Sequence, residues 1–520
     1  MEQIQNILKD IVKKGFLLDK ESLDFFSKLD NAKICEDVLN RIAVLNKSRF
    51  ISKSIITKYI NEIKPFFVNF DNQKKKIVHD FFKDAEVVQV VKEEVKKDET
   101  KYIPNVKVLS SNIIPYKKIE VRDFISHFKS RYNFLKEILM ERPDLTNLIS
   151  IDKIGNSRDA AVIGLVSSKR ITKNKNLLLE IEDLTGKITA LINHDKEDLF
   201  EKAKEIVLDD VLAFKCSAGR DILYVNDVIF PDCHIPEKKN CLEEVYALFI
   251  SDIHIGSNMF LEENFSRFLD WLNGIGCTEE QREKVRKVRY LFITGDSVDG
   301  VGIFPGQEEF LDIKNVEDQY KKLVSFLERV PKYINIIICP GQHDAVRVPE
   351  PQPPLDEEFA EPVTKLENVF LVTNPALIEI GGSNKSEGFK VLMYHGASMH
   401  GWVEEIEDLR VNNGHHNPAK IVEHLLKHRH LAPIHSLTTY VPDENNDPMI
   451  IRQVPDIITT GDLHKTDIDL YNNILIICSS CWQSITPFEE KVGNQPDPCK
   501  VPMLNLKTRE IKIIDFSNDS

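Results

Sequence analysis

No apolar run in these 520 residues is long enough to cross a bilayer; the longest, INIIIC at 334–339 and ILIIC at 474–478, have the length of buried strands. That excludes a spanning helix and, with it, a membrane partner. A signal-peptide core is missing too, because MEQIQNILKDIVKKGF scatters Ile4, Ile7, Leu8, Ile11 and Val12 among charges as an amphipathic helix does. The chain also lacks excess positive charge. A formal net charge of −14 argues against a surface that grips nucleic acid all over, so any nucleic acid must be held by a local patch, metal ions or a partner. Cysteine shows none of the dense pairing of a small secreted scaffold: nine residues are scattered through the chain. A reducing, cytoplasmic and nucleoid-associated setting is expected. Repeats and biased tracts are wanting as well, apart from the proline-rich VPEPQPPLDEE at 348–358.

What remains is an ordinary composition, with 42% hydrophobic and 29% charged residues, in a chain too long for a single core. Residues 1–70 carry Phe25, Phe26, Leu29, Ile34, Val38, Leu39, Ile42 and Leu45 at helical spacing and predict a small helical N-terminal module. Residues 71–118, with KKK at 74–76 and KEEVKKDETK at 92–101, read as a charged flexible linker. Within 119–238 a helix at 120–147 precedes segments that alternate apolar and polar residues between LTG and SAGRD turns. Five strands with a helix (KEDLFEKAKEIV) after the third predict a small Greek-key β-barrel of the oligonucleotide-binding (OB) type. Its strands hold few aromatics to stack bases, and Tyr224 is the one worth naming. Residues 239–520 alternate strands (VYALFI, VRYLFITG, YINIIICPG, FKVLMYHG, PDIITTG, NILIIC) with helices at 261–272, 315–329 and 418–429. The fold class is therefore α/β.

Five polar blocks interrupt that last region: SDIHIG, ITGDSVDG, CPGQHDAV, MYHGAS and TTGDLHKTD. Each follows an apolar run, so its polar residues fall on a loop at a strand end, where distant parts of the sequence can converge. Asp252, His254, Asp296, His395 and His464 then offer oxygen and imidazole ligands for two divalent ions. Two such ions suit phosphodiester hydrolysis, since one acidifies a bound water while both neutralise charge on the phosphoryl oxygens. Asp296, in a Gly-Asp turn, is the natural bridge. Asp252 and His254 alternate along one extended segment and so bind one ion together, with His464 completing its shell. Asp296, His395, Asp462 and the amide oxygen of Gln342 take the second. His343, beside a ligand, can donate a proton to the leaving oxygen, with Asp344 orienting its imidazole.

The ordered set DxH, GDxxD, a GNHD-like block, H-G and a GHxH-like block resembles the calcineurin-like metallophosphoesterases, whose sandwich of two sheets flanked by helices carries a dinuclear site. The resemblance narrows with PGQHDAVRVPEPQPPL, RHLAPIHS at 429–436, PDIITTGDLH at 455–464, CWQSITPF at 481–488 and PDPCKVPMLNL. Together these look like the small subunits of archaeal family-D DNA polymerases, over about 160–520 with specificity. The resemblance implies a 3′ to 5′ exonuclease that prefers Mn²⁺, with Mg²⁺ as the substitute, acting on single-stranded or mismatched DNA 3′ ends beside a large polymerising subunit. Asp252, His254, Asp296, His395 and His464 match its ligand positions and His343 its acid, while Asp299 and Gly300 lie in the second motif without being expected ligands.

Two positions depart from that pattern. Gln342 stands where Asn is usual and adds a methylene, so the loop must retreat by roughly 1 Å. Asp462 replaces the first His of GHxH and favours harder ions. Both fall on the second ion. The alternative to an exonuclease is a scaffold subunit that keeps the architecture and loses the chemistry; a general phosphatase would leave the barrel unexplained. Cys478 and Cys481 read as incidental thiols at a strand end, and His424 and His428 as solvated or helix-capping residues. The prolines at 349–354 stiffen the loop beside His343.

Overall fold

The structure, a computed structural model, describes residues 17–29, 32–45, 63–67 and 72–82, a few positions within 50–59, and most of 105–517. The amphipathic segment expected at the start of the chain lies outside the described residues. The chain forms two compact units, Met1–Lys101 and Tyr102–Ser520.

In the first unit, helices α1 (Lys20–Leu29), α2 (Ala32–Leu45) and α3 (Asn72–Phe82) close over Phe25, Phe26, Leu29, Val38, Leu39, Ile42 and Phe82. These are the positions that recur every three or four residues. Helix α3 falls inside the stretch expected to be linker. Its lysines distract from Ile77, Val78, Phe81 and Phe82, which share one helical face and join that core. The expected linker also ends early, because strand β1 (Val106–Ser111) pairs with a sheet of the second unit. Residues 83–104 lie outside the described residues.

Helix α4 (Val121–Met140) opens the structured body of the second unit and lays Tyr132, Leu135 and Leu139 against Ile163, Leu165, Val211 and Ile229 of a barrel. The barrel strands are β2 (Ala160–Ile171), β3 (Leu177–Glu182), β4 (Lys187–Ile192), β5 (Val211–Ala218) and β6 (Ile222–Ile229), with α5 (Glu197–Lys204) between the third and fourth. They close in the order β2-β3-β4-β6-β5, with β4 and β6 parallel and the other pairs antiparallel. Alternation decides which residues turn inward: Val162, Val166, Leu179, Ile181, Ala190, Phe214 and Val225 fill the interior.

Two six-stranded sheets follow. The first contains β7 (Tyr246–Ile250), β8 (Val288–Thr294) and β9 (Asn335–Cys339), then β10 (Val369–Leu371). The second contains β11 (Ala376–Ile380), β12 (Phe389–Met393), β13 (Ile457–Thr460), β14 (Asp467–Tyr471) and β15 (Ile474–Cys478), while β16 (Lys500–Asn505) and β17 (Ile511–Asp515) return to the first. The orders are β10-β9-β8-β7-β16-β17 and β14-β15-β13-β12-β11-β1. Phe249, Phe292, Ile337, Val391, Ile457 and Ile477 meet between the sheets. Helices α6 (Glu262–Leu272) and α7 (Val316–Leu327) share a core with the other face of the first sheet, and α8 (Pro418–His428) with the other face of the second. Strands covered on both faces cannot alternate, which is why YALFI, and NIIIC after its half-buried Asn335, run apolar without a break. Among the described residues no helix is long and apolar enough to cross a membrane.

Candidate metal centre

The Asp, His and Gln residues of each block lie just past the C-terminal end of one strand: β7, β8, β9, β12 or β13. Those strands run parallel within each sheet, and their carboxyl ends are where α/β sheets collect ligands. Asp252, His254, Asp296, Asp462 and His464 all hold φ between 48° and 67°. This left-handed backbone costs a non-glycine residue on the order of 1 kcal/mol or more, and such strain gathers at functional sites. It also replaces the extended segment expected for Asp252 and His254. Their side chains converge through two left-handed kinks, held by Asp252 N–H on Gly295 O and His254 N–H on Asp296 O, both 3.1 Å. Two glycines permit the crowding: a methyl at Gly295 would overlap His395, and one at Gly341 would overlap Asp296.

The side chains meet in two overlapping sets. Asp252, His254 and His464 form the first: His464 Nε2 lies 3.4 Å from Asp252 Oδ1 and 3.3 Å from His254 Nε2. Asp252, Asp296 and His395 form the second, with His395 Nε2 3.2 Å from Asp296 Oδ2 and 3.8 Å from Asp462 Oδ1. Asp252 is common to both sets, and Asp296 Oδ2 lies 4.0 Å from His254 Nε2 of the first. Gln342 sits at the second set but turns its amide Nε2 onto Asp462 Oδ1, 3.0 Å away. All seven residues expected as ligands are thus brought together.

Electrostatics favour a cation here. Burial works against charge on His395, yet Asp296 and then Asp252 hold its pKa well above the ordinary value; burial likewise opposes charge on His254, and Asp299 prevails. Burial would raise Asp296, but His395 and then His343 keep its carboxyl well below the usual range. On the second side, Gln342 Oε1, His395 Nε2 and Asp462 Oδ2 are buried without a hydrogen-bond partner. Buried lone pairs left unmatched are costly. Three of them converging among carboxylates fit the donor set of a divalent ion.

His343 flanks the centre, its ring 4.8 Å from that of His254 and partly exposed. Its Nδ1 donates to the Asp299 carbonyl at 2.8 Å. Asp344 does not orient it. Consecutive residues of this tight turn face opposite ways, and the buried Asp344 carboxylate accepts from Gly341 N, Ser297 N and Tyr320 Oη, so it braces the loop. Burial, reinforced by Asp296, lifts Asp344 to about 7. Two residues absent from the expected set hold the imidazoles: Asp299 Oδ1 lies 3.0 Å from His254 Nδ1, and Glu489 Oε1 lies 2.8 Å from His464 Nδ1. The second Asp of GDxxD signals the former. Nothing in PFEEK distinguishes Glu489, which also closes a capping box with Thr486.

The proline-rich loop braces the same region: Gln352 Nε2 donates to Gly341 O at 3.1 Å. Burial lifts Glu350, hydrogen-bonded to Tyr394 and Asn374, to about 8. Cys478 and Cys481 are buried free thiols. His424 and His428 are neither solvated nor capping; His428 is 2% exposed and its Nδ1 bonds Asp210 of the segment before β5 at 2.8 Å. Tyr224 is 51% exposed on the barrel.

Comparison with known proteins agrees with the placement of these motifs. The family model of the DNA polymerase alpha/epsilon B-subunit matches residues 247–468, which span all five blocks. The DNA polymerase II small subunit of Archaeoglobus fulgidus is 31% identical over 501 residues, covering 95% of this chain and 94% of that protein. That of Methanothermobacter thermautotrophicus is 34% identical over 403 residues, covering 77% and 81%. The Pyrococcus furiosus small subunit is 39% identical over 407 residues, and this chain spans 64% of its length. A solved archaeal phosphodiesterase overlaps at 12% identity and a TM-score of 0.26, covering 52% of this chain and 99% of its own, too slight a likeness to carry an argument. A match of 31% identity that runs nearly end to end in both chains settles the relationship: the chain belongs to the family of archaeal DNA polymerase II small subunits.

Proposed function

We propose that the chain is a metal-dependent 3′ to 5′ exodeoxyribonuclease of the calcineurin-like phosphoesterase type, working beside a large polymerising subunit in DNA replication. The observation that carries this is the convergence of Asp252, His254, Asp296, His395, Asp462, His464 and Gln342 on one buried point, three of their polar atoms unmatched. Divalent ions held there, Mn²⁺ by the family resemblance with Mg²⁺ as substitute, would neutralise the phosphate and acidify water. Asp252, His254 and His464 would hold one, and Gln342, His395 and Asp462 the other, with Asp296 shared.

The chain's own residues then do the rest. Asp299 and Glu489 fix the imidazole rotations of His254 and His464. In its imidazolium form His343 keeps its Nδ1 proton on the Asp299 carbonyl and would deliver its Nε2 proton to the departing oxygen of the DNA 3′ end, ending neutral. The strand order and parallel third and fifth strands support an OB-type barrel, with Tyr224 as its one exposed stacking ring. Because the chain is acidic, the large subunit supplies much of the grip on DNA.

The test is release of 3′ nucleotides from mismatched DNA by the full chain with Mn²⁺. His343→Ala should lower the rate about 10²–10⁴-fold with metal binding intact. Undiminished cleavage in both His343→Ala and Asp296→Ala overturns the mechanism. A scaffold role has one observation in its favour: Gln342 and Asp462 hydrogen-bond each other where both should face an ion. Full metal occupancy without any nuclease activity would decide for it.

A further inference from the structure

A second cluster of metal-ligating side chains lies apart from the centre, where the barrel meets α8. We propose that Glu205, His424 and His428 form a site for a divalent transition ion of the zinc class that joins the barrel to the second sheet's helix. The three ligand atoms lie within 4.8 Å of one another. Glu205 follows α5 of the barrel, and its Oε2 is 3.8 Å from His424 Nδ1. A tetrahedral ion bound at about 2.1 Å keeps its ligand atoms roughly 3.4 Å apart, so small side-chain rotations close the set.

The state of the two nitrogens points to a cation. His424 Nδ1 and His428 Nε2 are both buried with no hydrogen-bond partner. Carboxylates only accept, so the Asp210 Oδ1 contact at 2.8 Å fixes the proton of His428 on Nδ1 and leaves a lone pair on Nε2. A carboxylate behind an imidazole is the arrangement that orients and strengthens a metal-bound histidine. Trp402 covers both rings, at 6.2 Å from His424 and 4.9 Å from His428. Lys427 contacts Oε2 of Glu205, so an ion entering the set displaces that ammonium or takes the other carboxylate oxygen. Two imidazoles, one carboxylate and a position open to solvent beside the partly exposed Glu205 make up a zinc coordination number.

The full-length chain, stripped with chelator and titrated with Zn²⁺ alone, should bind one more ion than His424→Ala, counted by elemental analysis on protein shown folded by circular dichroism. Asp210→Asn should weaken that ion about 10–100-fold. An unchanged count in folded His424→Ala overturns the proposal. Should the variant fail to fold, diffraction from the unmodified chain at the zinc edge decides: an anomalous peak between His424 Nδ1 and His428 Nε2 supports the site. Peaks confined to the Asp296 centre overturn it.

Discussion

The two halves of the candidate metal centre carry similar side chains and support them in different ways. On the first side both imidazoles rest on carboxylates, His254 on Asp299 at 3.0 Å and His464 on Glu489 at 2.8 Å. On the second, His395 rests on a neutral carbonyl, Thr294 O at 2.9 Å, and the other two ligands are engaged with each other. A carboxylate behind an imidazole raises its basicity and fixes its rotation; a carbonyl does only the second. The first half is preorganised, and the second must break a hydrogen bond before it can bind.

That difference can be broken or sharpened in steps. Asp296→Ala removes the shared carboxylate and should abolish binding at both halves and cleavage with it, read by calorimetric Mn²⁺ titration and nucleotide release. Glu489→Gln should weaken only the tighter ion, about 10–100-fold, and leave the weaker one in place. Asp462→His, which exchanges a carboxylate for an imidazole and frees Gln342, should shift the weaker ion's preference from Mn²⁺ toward Zn²⁺, read by competitive titration. A last and smallest effect concerns the support beneath the second half. Burial raises Glu350 from 4.5 to about 8, so the folded chain retains a proton that the unfolded chain sheds. Its contribution to stability is whole below pH 4.5 and is lost as the pH rises through about 8. Thermal midpoints should therefore fall across that window, and fall less in Glu350→Gln.

The strands of the two sheets are legible because burial on both faces leaves apolar runs between polar loops, as in IIIC followed by PGQHD. The ligand residues were legible for the same reason: Asp and His immediately after such a strand have few structural uses. What the sequence did not convey is direction. Asp344 follows His343 and looked like its partner, yet the turn sends it beneath the loop to Gly341 and Ser297. Glu489 lies 25 residues from the His464 it holds, in a capping box that hides it among surface helices. Helix α3 was hidden by its lysines, and the burial of His424 and His428 depends on a barrel contact that helical spacing alone cannot reveal.

The proposed centre holds two ions unequally. Anomalous scattering from crystals of the full chain equilibrated with limiting and then saturating Mn²⁺ tests it most directly. A peak should first appear among Asp252, His254 and His464, with a second beside Gln342, His395 and Asp462 only at the higher concentration. Equal occupancy of both at limiting Mn²⁺, or no peak at Asp296 at saturation, would contradict it.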